Sequence, residues 1–95
     1  MGKKTVRFRP SGIEKLPENK PVIYRIKTSS GHENYVGIAK RGRVQDRIAE
    51  HLPGAKDPVP GSKVQIEQMA SIQEALRKEQ RIISRTQPPH NKHGK

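Results

Sequence analysis

Pro21-Val22-Ile23-Tyr24-Arg25-Ile26-Lys27-Thr28 and, beyond the turn cluster Ser29-Ser30-Gly31-His32, Glu33-Asn34-Tyr35-Val36-Gly37-Ile38-Ala39 decide how this chain folds. Both runs are rich in β-branched and aromatic residues, which fit a pleated surface, and each is bounded by turn formers. So short a connection predicts an antiparallel hairpin. In it Val22, Tyr24 and Ile26 share one sheet face, while Tyr35 and Gly37 share one face of the partner strand. A glycine weakens a strand interior, so Gly37 marks a bulge, a group passing close to its backbone, or an early end to the strand.

Outward from the hairpin, Val44, Ile48 and Leu52 recur every four residues in Arg41–Leu52, and Pro53-Gly54 ends the run. This is the pattern of a short amphipathic helix, with Arg47 and His51 projecting together beside its apolar stripe. A loop with three prolines follows (Pro53 to Gly61), then an alternating strand candidate, Lys63-Val64-Gln65-Ile66-Glu67. Ser71 with Glu74 makes a capping box for a second helix, which stops before Pro88-Pro89. The order is strand, strand, helix, strand, helix. The expected fold class is α/β (α+β): a small three-stranded antiparallel sheet flanked by helices. Residues 1–20, basic and broken by Pro10 and Pro17, read as an N-terminal arm, residues 21–91 as one domain and 92–95 as a basic tail.

The second helix contains the oddest residue. Ile72, Ala75, Leu76, Ile82 and Ile83 form its apolar stripe, and Glu79 falls on the same face, three or four residues from its apolar neighbours. A carboxylate drawn out of water needs a proton, a salt bridge, hydrogen bonds or a cation. The plain alternative is a boundary residue whose stem reaches back to solvent.

Composition narrows the partner. Twenty Lys and Arg against nine Asp and Glu give a formal charge of +11 on 95 residues. Such a field favours a polyanion, nucleic acid above all. Lys3, Lys4, Arg7 and Arg9 in the arm, and Lys40, Arg41 and Arg43 after the hairpin, are the candidate phosphate contacts. No run approaches a membrane span or a signal peptide, which argues against a membrane partner and makes a cytoplasmic protein the expectation. The chain has no cysteine, so thiolate chemistry and disulfides are excluded.

Val22-Ile23-Tyr24 and Tyr35-Val36-Gly37 together resemble the paired signature of the GIY-YIG nuclease family. Arg47-Ile48-Ala49-Glu50-His51 resembles the family's Arg and His on its first helix, four residues apart. Glu79, then Pro88 or Pro89, then Asn91 resembles its closing pattern. The similarity runs from Pro21 to Asn91. It departs at Val22, where the family usually has Gly, and in a longer interval between Gly37 and Arg47, which leaves Arg43 as a rival for the arginine role.

The resemblance implies hydrolysis of phosphodiester bonds, with DNA as the first substrate and 5′-phosphate and 3′-hydroxyl products. It implies one Mg²⁺ or Mn²⁺ held by Glu79, and Arg47 on the scissile phosphate. Tyr24 would position or deprotonate the attacking water, for which its phenol must titrate lower than usual. Tyr35 and His51 would orient that water or relay its proton, and Asn91 would organise the tail against the site. Cutting both strands would need two sites, hence a dimer or two binding events. The rival class is a non-catalytic basic module binding RNA or DNA on the same fold.

Overall fold

A computed structural model describes residues 3–87. The elements are β1 (Lys3–Arg7), α1 (Pro10–Ile13), β2 (Val22–Lys27), β3 (Glu33–Ala39), α2 (Val44–Ala49), β4 (Lys63–Gln68) and α3 (Ile72–Thr86). The strands form one antiparallel sheet in the order β1-β4-β2-β3, four strands where three were expected.

The inner strand β2 is covered on both faces, which explains its nearly unbroken apolar start, Val22-Ile23-Tyr24. On one face Val22, Tyr24 and Ile26 pack with Val64 and Ile66 of β4 and with Val44 and Ile48 of α2. On the other, Ile23 and Val36 meet Ala75 of α3, flanked by Ile72, Ile82 and Ile83. The helix α3 starts as its capping box predicts, with the Ser71 hydroxyl accepting the Glu74 N–H at 3.2 Å. Leu76, placed on its apolar stripe by periodicity, lies at the margin and is 44% exposed.

The segment read as an arm is part of the fold. Lys3–Arg7 pairs with β4, and Phe8, Ile13 and Leu16 are buried in the core. Its later residues brace α2: the Glu18 carboxylate accepts the Gln45 N–H at 2.8 Å, and the Gln45 amide donates to the Leu16 carbonyl at 2.9 Å. A borrowed carboxylate thus satisfies an N-terminal donor of α2, whose own Arg43 supplies no side-chain cap. Asn91, the Pro88-Pro89 stop and the tail 92–95 lie outside the described residues.

Candidate active site

Three rings meet on the α2 face of the sheet. Tyr24 stands at the middle of β2 opposite Gly37 of β3, and Tyr35 lies two residues before Gly37 on the same face. Their ring centroids are 6.0 Å apart, and His51 sits 4.5 Å from Tyr35 and 5.7 Å from Tyr24. A β-carbon at position 37 would collide with the Tyr24 hydroxyl and the Tyr35 ring. Of the readings left open for Gly37, the close approach holds: the glycine continues the strand and makes room for the aromatic pair.

His51 follows α2 and is 3% exposed, so it is a core-facing group rather than the solvated flank that spacing alone allows. Its Nδ1 lies 2.9 Å from the Asp57 main-chain carbonyl, and its Nε2 lies 2.9 Å from the Tyr24 hydroxyl. A carbonyl only accepts, so Nδ1 carries the hydrogen. In the neutral ring Nε2 is then an acceptor, and the Tyr24 O–H donates to it. The loop after α2 holds the Asp57 carbonyl in place, with the Asp57 N–H donating to the Glu50 carbonyl at 2.8 Å and the Val59 N–H to the His51 carbonyl at 2.9 Å.

Tyr24 is fully buried. Burial, with the neighbouring Tyr35, pushes its phenol above the ordinary range, and the Arg47 guanidinium opposes this only in part. This direction is opposite to the lowering that a water-deprotonating phenolate needs. Tyr35, half-buried, is also raised, chiefly by burial. The charge of Glu79 adds to that rise and Arg47 counters it, so both charges act at Tyr35.

Arg47 is exposed on α2 and pairs with Glu50 at 3.5 Å. With Lys40, Arg43, Ile38, Ala39 and Ile72 it lines an open groove of about 340 Å³ at the β3 edge. Arg43 shares that groove but pairs with Asp46 at 3.7 Å, whereas Arg47 is the arginine whose charge acts on both tyrosines. Arg41 lies exposed on the turn before α2.

Glu79 is 7% exposed on α3, as its place in the apolar stripe predicts. Among the described residues no three His, Cys, Asp or Glu side chains gather as a metal-binding group. A divalent ion would thus rest on a single carboxylate. That fits Mg²⁺, which keeps several waters and commonly takes one or two carboxylates with substrate phosphate oxygens. One support escaped sequence reasoning. Glu67 of β4 accepts Lys78 Nζ at 2.8 Å and so ties α3 to the sheet beside Glu79. The Asp57 carbonyl escaped it too, since a main-chain acceptor leaves no mark in side-chain chemistry.

No family model and no curated protein matches the chain by sequence. Solved structures do match in shape. The GIY-YIG N-terminal endonuclease domain of UvrC from Thermotoga maritima, bound to its catalytic magnesium, superposes with a TM-score of 0.64 at 23% identity, covering 84% of this chain and 96% of that one. Two variants of that domain, each with a tyrosine changed to phenylalanine and each bound to its catalytic divalent cation, superpose at TM-score 0.64 with 23% and 22% identity, over 85% and 84% of this chain and 96% of theirs. No helix among the described residues is long and apolar enough to cross a membrane. The chain, with its small antiparallel sheet and flanking helices, has the GIY-YIG endonuclease fold.

Proposed function

We propose that the protein is a metal-dependent endonuclease that hydrolyses phosphodiester bonds of DNA. The observation that carries this reading is the Tyr24 to His51 hydrogen bond of 2.9 Å, with its donor direction fixed by the Asp57 carbonyl. It lies on a fold shared with solved endonuclease domains that hold a catalytic divalent cation.

The raised Tyr24 phenol suits a relay better than a standing base. As water attacks phosphorus, its proton passes to Tyr35 Oη, the Tyr35 proton to Tyr24 Oη and the Tyr24 proton to His51 Nε2, so no free phenolate forms. The imidazolium that results keeps its Nδ1–H on the Asp57 carbonyl. Tyr35, which unlike Tyr24 reaches solvent, orients the water. The bond from phosphorus to the leaving 3′ oxygen breaks, leaving a 5′-phosphate. Arg47, backed by Lys40 and Arg43, holds the phosphate oxygens as their charge builds. Glu79 would hold Mg²⁺ or Mn²⁺, which when bound would supply Lewis-acid stabilisation of the same charge.

The test is cleavage of supercoiled plasmid and of branched and single-stranded oligonucleotides by the wild type and by Glu79→Gln, with Mg²⁺, Mn²⁺ or EDTA. We expect metal-dependent nicking that falls at least about 100-fold in the variant while binding in EDTA is retained. Tight binding with no cutting of any substrate by the wild type would instead support the non-catalytic module.

A further inference from the structure

A second basic groove, of about 430 Å³, runs along β1 and under α1 at the sheet edge opposite β3. Lys4, Arg7, Arg9 and Lys15 line it with Thr5 and Ser11, and no carboxylate does. Among the described residues none of these four cations is in an ion pair. Lys3, next in sequence, is different: it stands opposite Glu67, whose carboxyl it helps hold below the usual range, and it is not part of the lining.

The fold builds this groove. Pro10 opens α1, and the Gly12 and Ile13 N–H groups donate to the Arg9 carbonyl at 3.0 and 2.9 Å. A β-carbon at Gly12 would run into the Arg7 carbonyl, so only glycine lets α1 lie directly on the end of β1. That contact gathers Arg7, Arg9 and Lys15 around one hollow. β1 is also the edge strand, so main-chain N–H groups on its outer side are available to an anion.

Position relates the two grooves. Lys4 pairs with Ile66, Ile66 with Tyr24 and Tyr24 with Gly37, so one row crosses the sheet from the second groove to the aromatic pair. Three strand spacings separate Lys4 from Gly37, about 14 Å. Along a duplex that is about four base pairs.

We propose that the Lys4, Arg7, Arg9 and Lys15 groove holds the phosphodiester backbone of the substrate nucleic acid, about four base pairs from the place of the Tyr24 and Tyr35 pair. The inference rests on the nuclease reading for its substrate, and its measurement is binding rather than cutting. The protein needs such a grip: at a small open groove, a few phosphate contacts give little affinity at physiological salt.

The experiment titrates a mixed-sequence duplex of about 20 base pairs in EDTA across a salt series. It compares the wild type, a groove variant (Lys4→Gln, Arg7→Gln, Arg9→Gln and Lys15→Gln) and a control (Lys20→Gln, Arg77→Gln, Arg81→Gln and Arg85→Gln). Both variants remove four charges from exposed positions, taking the formal charge from +11 to +7. We expect the groove variant to lower the slope of log affinity against log salt by about 2 to 4 and to weaken binding at least about 10-fold, and the control to lower the slope by less than about 1. The single changes Lys4→Gln and Lys15→Gln should each lower it by about 1. Equal losses in the two fourfold variants, or an unchanged slope in the groove variant, would overturn the proposal. Binding that follows this pattern without metal-dependent cutting would remove the nuclease reading and leave the groove.

Discussion

Replacing Tyr24 by Phe removes the hydroxyl that donates to His51, and replacing His51 by Gln removes the ring that accepts it. If the two act as one relay, each change should lower the cleavage rate about 10²- to 10⁴-fold, and the double variant should be no slower than the slower single one. Single-turnover rates would show this, and multiplied losses would mean independent roles. Much of this site can be read in the sequence. Tyr24 and Tyr35 fall at matched places in two clean strand runs, and Glu79 interrupts an apolar stripe. Their protonation was less legible. The upward shift of Tyr24 comes from complete burial, a product of tertiary packing that local composition does not encode.

At the scale of elements, α3 is held by its apolar stripe and by the Lys78 to Glu67 bond. The Lys78 ammonium, with Lys3 and Arg25, holds the Glu67 carboxyl below its usual range. A depressed carboxylate contributes stability above its unfolded pKa, and that contribution is lost as pH falls through the lower, folded value. Between pH about 6 and about 3 the wild type should therefore lose about 1 to 2 kcal/mol more than Lys78→Met, as read by urea titration. Parallel losses would place the α3 anchor elsewhere. The hairpin, α2, β4 and α3 were readable because each has at least one apolar face with the right period. β1 was not: Lys3-Lys4-Thr5-Val6-Arg7 is an edge strand with only Val6 half-buried, so charged residues fill the positions where alternation would show. α1, at four residues, is too short to display a helical period.

For the whole molecule, the consequence of that hidden strand is that residues 3–18 are structural. Phe8, Ile13 and Leu16 are nearly fully buried, and three such side chains contribute about 5 to 9 kcal/mol. This is comparable to the net stability of a small domain. A chain starting at residue 21 should therefore give no cooperative thermal transition by circular dichroism; a sharp melt would restore the arm reading. The strand order also has a consequence in time. β2 and β3 are neighbours both in sequence and in the sheet, whereas β4, made later, must enter between β1 and β2 before the sheet is whole. Glu79 is translated after every other residue assigned to the described site. The nascent protein thus exposes cationic charge to the nucleic acid around it well before it carries the carboxylate to which the proposed cutting assigns its metal ion.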